Sequence, residues 1–136
     1  MIQSNHGEIE DPEVDNMHAA FQGEGRTFYV VENTVEGIVY GCGGFAPLAG
    51  GGHPDTCELQ KMYFLPQLRG LGLGKKLLVH CIDAARSAGY QKMYLETVNR
   101  MVAAGQLYRK MGFEELPEQL GATGHSGCDC FMIREI

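Results

Sequence analysis

The sequence predicts a single α/β domain with a mixed, mostly antiparallel twisted sheet flanked by helices. Three observations predict this class. The chain has 136 residues, enough for one hydrophobic core of its own. Segments rich in aromatic and β-branched residues alternate with two segments of helical period, after an opening hairpin. No internal repeat or long low-complexity linker divides the chain.

The elements follow in order. Residues 1–26 are expected to form a short helical region, because in "DPEVDNMHAAFQ" (11–22) Asp11 can cap a helix and Pro12 suits its first turn. The segments "TFYVVE" (27–32) and "GIVYGCGGFAPL" (37–48) are predicted strands, paired through a turn near residues 33–37. A glycine-rich loop, "AGGGHPD" (49–55), leads to a third strand, "CELQKMYFL" (57–65).

The second half carries the clearest helix. Apolar residues keep helical spacing from 73 to 88, and Gly89 is the expected C-terminal stop. "KMYLET" (92–97) is a fourth strand, and "VAAGQLYRKM" (102–111) is a short helix ended by Gly112. The tail supplies one or two strands, most clearly "CDCFMIREI" (128–136).

Composition limits the partners and the compartment. The formal net charge of −6 gives a field that favours neither nucleic acid nor an anionic membrane. The longest uncharged runs are too short to span a bilayer, and the first residues do not resemble a signal peptide. The five cysteines are most simply free thiols in a reducing compartment, so a cytoplasmic protein is expected.

The stretch "FLPQLRGLGLGKKLL" (64–78) places three glycines where a strand gives way to a helix. Such a turn leaves backbone N–H groups unpaired at the positive end of the helix dipole, which suits an anion and phosphate above all. Arg69, Lys75 and Lys76 add local positive charge to an acidic protein. The alternative is a tight turn with solvated lysines.

Two common nucleotide motifs do not fit this stretch. A Walker A loop requires Ser or Thr after Gly-Lys, but Lys76 follows Lys75, and Arg69 stands where the first glycine should be. The dinucleotide fingerprint is absent because the three glycines are evenly spaced.

The pattern Arg69-x-x-Gly72-x-Gly74 resembles the (Q/R)-x-x-G-x-(G/A) motif of the GNAT superfamily of acetyl-CoA-dependent N-acetyltransferases. "AAGQLYRKMGF" (103–113) is similar to the family's A-x-x-L-Y-x-x-x-G-F segment. The resemblance covers residues 27–136, which it implies are the cofactor-binding core of a single GNAT-like domain. The family usually opens with a strand and two helices, so the N-terminal elements of this chain are expected to be shortened.

The resemblance implies acetyl-CoA as co-substrate and assigns backbone groups to it. The pyrophosphate would be held by the turn, and the pantetheine arm would pair with the preceding strand, where one N–H polarises the thioester carbonyl. The residues implied for the pyrophosphate are Arg69, Gly70, Leu71, Gly72, Leu73, Gly74 and Lys75, and those for the arm are Met62, Tyr63 and Phe64.

Acetyl transfer to an amine needs a base, since an ammonium group titrates near ~10. Glu58 and Glu96 are the candidates, with Glu58 preferred and water alone as a further route; either could instead be a solvated charge at a strand end. Tyr108 matches the family's usual general acid, and a core aromatic is the alternative. Because a phenol near ~10 protonates a thiolate near ~8.5 only uphill, Tyr108 would mainly hydrogen-bond the leaving thiolate.

One position departs from the family pattern at the cofactor, and one group of residues raises the question of a metal. Many relatives carry an asparagine at the position of Met101, and Asn99 is out of register with it. Cys128 and Cys130 with His125, joined by Cys57 or His53, suggest zinc, but alternate residues of a strand point to opposite faces, so ordinary buried thiols and no metal are expected.

The leading function is N-acetyltransfer from acetyl-CoA to a primary amine of a small molecule or to an amino group, by direct attack. A non-catalytic acyl-CoA-binding or regulatory module is the alternative, and a purely structural domain is a third. Without the family's first strand, "TFYVVE" would be an edge strand, which favours a symmetric homodimer, with "CDCFMIREI" as a second strand for exchange. Alternatively, residues 1–26 fold back over the edge and the protein is a monomer.

Overall fold

The computed structural model describes residues 16–33, 35, 37–65 and 72–136. Within them the strands form one sheet in the order β1-β2-β3-β4-β5-β7-β6, in which only the β4–β5 pair is parallel. This confirms the mixed, mostly antiparallel α/β fold. The elements are β1 (Asn16–Gly23), β2 (Arg26–Asn33), β3 (Ile38–Pro47), β4 (Thr56–Phe64), α1 (Leu73–Ser87), β5 (Lys92–Thr97), α2 (Val102–Lys110), β6 (Glu114–Leu116) and β7 (Cys130–Glu135).

The helix predicted over residues 11–22 is wrong from residue 16 onward, because Asn16–Gly23 is strand β1, antiparallel to β2. Residues 11–15 lie outside the described part of the chain. Glu24 and Gly25 form a two-residue turn, with Gly25 at φ +72°, and this turn closes a hairpin. A register shift at Ala20 breaks the strand alternation, so the apolar residues acquire a spacing that resembles a helix.

The new hairpin also changes which strands are at the edges. β2 lies between β1 and β3, and β7 lies between β5 and β6. Both strands that were expected to lie at sheet edges are therefore interior, so their predicted edge positions are wrong and the argument for a homodimer that rested on those edges is removed. For residues 16–23, the chain instead folds back over the β2 edge, as the monomer alternative supposed.

The remaining strands and both helices confirm the sequence predictions of where these elements lie.

Each helix ends in a Schellman motif, the C-terminal arrangement in which a left-handed glycine lets two N–H groups cap the last carbonyls. At the end of α1, Gly89 has φ +100° and Tyr90 donates its N–H to the Ala85 carbonyl over 3.1 Å. At the end of α2, Gly112 has φ +95° and Phe113 donates to the Tyr108 carbonyl over 3.0 Å.

The core lies on one face of the sheet, where α1 packs on β2, β3 and β4. Alternate strand residues point into it, and both helices contribute to the same cluster, whose most buried members include Val31, Cys57, Leu77, Leu78, Cys81, Met93, Leu95 and Met132. Glu58, Gln60, Tyr94 and Glu96 occupy the alternate positions of β4 and β5. Across the described residues, no helix combines the length and apolar character needed to cross a membrane.

Candidate active site

The sheet opens between β4 and β5, and this opening organises the candidate site. The two strands pair over only three positions, from Thr56 opposite Lys92 to Glu58 opposite Tyr94. Beyond these positions β4 pairs with β3 alone and β5 with β7 alone, as far as the described strands show. Glu58 therefore stands where the two halves of the sheet begin to separate.

A β-bulge lies on β4 beside the opening. Gln60 is opposite Gly44 and Tyr63 is opposite Cys42, so Lys61 and Met62 together face Gly43. Lys61 has φ +57°, a left-handed conformation that is uncommon for a residue other than glycine. On the β5 side, residues 62–64 have no partner among the described strands, so the backbone predicted to hold the pantetheine arm is available for pairing.

The N-terminus of α1 begins at a glycine and presents backbone N–H groups. Gly72 precedes the helix at φ +78°, and no side chain caps it. The first helical hydrogen bond runs from the Lys76 N–H to the Gly72 carbonyl, so the preceding N–H groups have no partner within the helix. The first turn carries no acidic residue. Of the residues predicted to bind pyrophosphate, Gly72, Leu73, Gly74 and Lys75 lie here, whereas Arg69, Gly70 and Leu71 lie outside the described residues.

Glu58 and Glu96 meet around one histidine. His125 Nδ1 lies 3.2 Å from Glu96 Oε1 and 3.6 Å from Glu58 Oε2. The two carboxylate side chains are only 3% and 0% exposed, whereas that of His125 is 47% exposed. The loop between β6 and β7 carries His125 over the end of β5, and this brings together both carboxylates that the sequence left as alternatives.

The two carboxylates differ in their hydrogen bonds. Besides contacting His125, Glu96 accepts from the Tyr94 hydroxyl at 2.7 Å, Gln119 Nε2 at 3.0 Å and the Thr123 hydroxyl at 2.9 Å. Glu58 accepts from Gln60 Nε2 at 2.9 Å. Burial raises the pKa of Glu58, and the hydrogen bond from Gln60 and the charge of His125 oppose that rise.

Tyr108 lies on α2 in the apolar core, with its ring edge-on to Phe113 at 5.9 Å between centroids. Burial, together with Cys81, raises its pKa to about 12. The first turn of α1 lies close to α2, because a Cβ added to Gly74 of α1 would lie 3.4 Å from Leu107 Cδ2 of α2. Tyr108 thus sits one residue from the contact between α2 and the first turn of α1. Met101, at the start of α2, is exposed and provides no side-chain cap.

The sequence analysis missed several groups around the carboxylates. Gln60 and Tyr94 were not singled out, although each is two residues from a candidate glutamate and so shares its face of the strand. His125, Thr123 and Gln119 lie on a loop whose path the sequence could not give. His125 was considered only as a zinc ligand with Cys128 and Cys130, and of these two cysteines Cys130 points into the core.

A pocket of about 470 Å³ lies beside the site, over β1 to β4. Phe21 and Phe28 contribute aromatic surface, and Arg26 and Lys61 contribute positive charge. Gln60 also lines the pocket and connects it to Glu58 through its hydrogen bond.

A sheet that opens between two parallel strands, beside a glycine-led helix N-terminus, is the arrangement that the sequence resemblance to N-acetyltransferases implied. A family model for the acetyltransferase (GNAT) domain matches residues 24–115, and the chain therefore belongs to the GNAT superfamily, as the sequence resemblance predicted. The N-acetyltransferase YjgM of Escherichia coli K12, itself uncharacterized, is 44% identical over 128 residues, which cover 94% of this chain and 75% of that protein. The chain spans about half the length of two further curated relatives.

Solved structures agree with this family. An acetyltransferase of the GNAT family from Staphylococcus aureus Mu50 has a TM-score of 0.71 at 25% identity, covering 82% of this chain and 68% of that one. A GNAT family acetyltransferase from Elizabethkingia anophelis with acetyl-CoA bound has a TM-score of 0.67 at 17% identity, covering 93% of this chain and 100% of that one. At 17% identity, the likeness to the Elizabethkingia anophelis protein shows a shared fold only.

Proposed function

We propose that this enzyme transfers the acetyl group of acetyl-CoA to the primary amine of a small molecule by direct attack. The opening of the sheet at Glu58 carries the proposal, because it places a buried carboxylate next to free strand backbone. When bound, acetyl-CoA supplies a thioester carbonyl as electrophile and a thiolate as leaving group. The protein's groups must then hold the cofactor, take a proton from the amine and stabilise the thiolate.

The cofactor's phosphates belong at the N-terminus of α1 in this proposal. The N–H groups of Leu73, Gly74 and Lys75, which have no partner within the helix, and the helix dipole favour negative charge there. Among the described residues, an added Cβ on Gly72 would meet no atom within 4 Å, so this part of the chain leaves room at the turn. Arg69, Gly70 and Leu71 complete the turn on the strength of the sequence motif alone.

Residues Met62, Tyr63 and Phe64 are assigned to the pantetheine arm. The backbone of β4 is open on the β5 side, as an added strand-like ligand requires. An N–H at the bulge is our candidate donor to the carbonyl oxygen, where negative charge develops during attack.

Glu58 is the base in this proposal. Glu96 is the positioning residue, because it holds His125 and the β6–β7 loop in place. Glu96 already accepts from Tyr94, Gln119 and Thr123, which leaves little capacity for a further proton. Within the described part of the chain, Glu58 accepts a hydrogen bond from Gln60 alone, and burial raises its pKa, which makes it a better proton acceptor. The two buried carboxylates also favour the ammonium form of the acceptor on arrival.

The neighbouring pocket is our site for the body of the acceptor. Its aromatic wall suits an apolar group, and Arg26 and Lys61 suit a carboxylate, so an amino acid with an apolar side chain meets both ends. Simple polyamines offer no such anion. We therefore expect amino acids to outperform polyamines as acceptors.

An amine panel tests the proposal. Release of free thiol from acetyl-CoA is measured with amino acids, polyamines and peptides with free amino groups, and a cofactor-induced thermal shift is recorded alongside. We expect both a shift and thiol release with at least one amino acid. A shift without release from any amine would favour the non-catalytic acyl-CoA-binding module, which Met101 in place of the family's asparagine also suggests. No shift would contradict both. A cytoplasmic location stays a prediction from the sequence.

A further inference from the structure

We propose that Glu96, His125 and Cys128 form a binding site for Zn²⁺ where the β6–β7 loop crosses the end of β5. One ligand atom from each of the three side chains lies within 4.8 Å of the others, and Glu96 Oε1 is 3.2 Å from His125 Nδ1. Ligand atoms around tetrahedral zinc, at bonds of about 2.0–2.3 Å, are separated by about 3.3–3.8 Å. Small side-chain adjustments would therefore suffice.

The donor set selects the metal. A thiolate, an imidazole and a carboxylate are the three ligand types that zinc takes in proteins, whereas Mg²⁺ and Ca²⁺ prefer oxygen ligands only. Three protein ligands leave a fourth position for water or another ligand. Alternate positions on a strand had argued against a site with Cys128 and Cys130, but Cys128 precedes β7 and its partner in the structure is Glu96.

A supporting shell already holds the carboxylate. Tyr94, Gln119 and Thr123 all donate to Glu96, and such outer hydrogen bonds fix the orientation of metal ligands. The loop is tied to the end of β5 by the Asp129 N–H, which donates to the Thr97 carbonyl over 3.1 Å. In return, the Asn99 N–H donates to Asp129 Oδ1 over 2.7 Å.

Charge and access also suit a cation. The described ion pairs at this site link His125 to Glu96 and Glu58 and include no Lys or Arg. Asp129 adds a further carboxylate close to Cys128. His125 is about half exposed, which gives the ion a route from solvent.

The protons balance in a simple way. The Cys128 thiol loses its proton to solvent as the sulfur–zinc bond forms. Neutral His125 binds through Nδ1 with its proton on Nε2, so the contact now made between Nδ1 and Glu96 Oε1 is replaced by two bonds to the metal. No electron is transferred, and no other reactant is needed.

Bound zinc would oppose an incoming ammonium group beside Glu58, so we expect it to inhibit acetyl transfer. This consequence rests on the proposed function, whereas binding itself does not.

Calorimetric titration of the 136-residue, chelator-treated chain with zinc chloride tests the site. We expect one Zn²⁺ per chain, and at least roughly 10-fold weaker binding in Cys128→Ser and in His125→Ala. Cys42→Ser is the matched control, because Cys42 is a partly exposed thiol on β3 and its substitution should leave zinc affinity unchanged. Co²⁺ gives a second readout: thiolate-to-cobalt absorption should appear in the wild type and in Cys42→Ser and be absent from Cys128→Ser.

Wild-type protein that binds no zinc at micromolar concentrations would overturn the proposal, as would undiminished binding in Cys128→Ser. Thermal melting without metal checks that each variant is folded. The titration needs neither acetyl-CoA nor an amine. Thiol release without zinc binding would therefore refute the metal site alone, and zinc binding without thiol release would refute the proposed acetyl transfer alone.

Discussion

The hydroxyl of Tyr108 is held in an environment that keeps it neutral. Its pKa of about 12 lies well above that of an ordinary thiol near ~8.5, so full proton transfer to a thiolate would be uphill by about 5 kcal/mol. Donating a hydrogen bond to the thiolate carries no such cost and stabilises a charged acceptor by about 1.5–3 kcal/mol. Burial thus favours the hydrogen-bonding role over the role of a full acid.

Tyr108→Phe tests that role. The substitution keeps the ring against Phe113 and removes only the hydroxyl, so we expect the acetyl-CoA thermal shift to persist while kcat falls roughly 10²-fold. Tyr29→Phe is the matched control, because Tyr29 is also a core tyrosine with a pKa raised to about 12. Wild-type turnover in Tyr108→Phe would leave Tyr108 with a packing role only.

The choice between the two glutamates is testable by a paired substitution. Glu58→Gln removes the proposed base while preserving the side-chain size, and we expect kcat to fall 10²-fold or more, measured with chelator present. In Glu96→Gln the amide replaces a carboxylate that accepts from several donors, so the melting temperature should fall as well. If Glu96→Gln instead loses turnover at unchanged stability while Glu58→Gln stays active, the roles are reversed.

At the scale of elements, the N-terminus of α1 is the feature on which cofactor binding depends. Gly72→Asp would place a carboxylate where it can accept from the first N–H groups of α1 and repel a phosphate. We expect the acetyl-CoA thermal shift to disappear. Gly37→Asp is the control, since Gly37 has a similar φ of +71° and equally open space but lies in the β2–β3 turn. An undiminished shift in Gly72→Asp would contradict the phosphate assignment.

Elements with local signals were predictable from the sequence. Strands β2 and β3 are rich in β-branched and aromatic residues, and α1 keeps an unbroken helical period up to Gly89. β1 was not predictable in this way, because the bulge at Ala20 shifts its alternation and only pairing with β2 stabilises it as a strand.

The candidate site was predictable only in part, for a similar reason. Tyr108, Gly72 and the two glutamates follow from a motif and its spacing. His125 could not be placed beside them, because its position depends on how the β6–β7 loop returns across β5. Cys128 likewise acquires Glu96 as a neighbour only in the folded chain.

For the whole molecule, the added hairpin bears on assembly. β1 covers β2, and β6 covers β7, so the two strands expected to drive pairing are already satisfied. We therefore expect a monomer at low micromolar concentration, with a mass near 14.9 kDa by light scattering. A mass of twice that value would point to pairing through β1, whose Phe21 is 54% exposed.

The short contact between β4 and β5 divides the sheet into two parts that only three residue pairs join directly. This short β4–β5 contact should undergo local opening more readily than the strand pairs on either side of it. Hydrogen exchange should therefore be fast at the β4 amides that do not bond β3. Acetyl-CoA lying in the opening would slow that exchange while leaving the β2–β3 amides unchanged, and equal exchange with and without it would show that the cofactor does not pair with these β4 amides. The opening between β4 and β5 that admits the cofactor would then be the least rigid part of the sheet in the free enzyme. The bound cofactor would fill this opening in the way that an additional strand does.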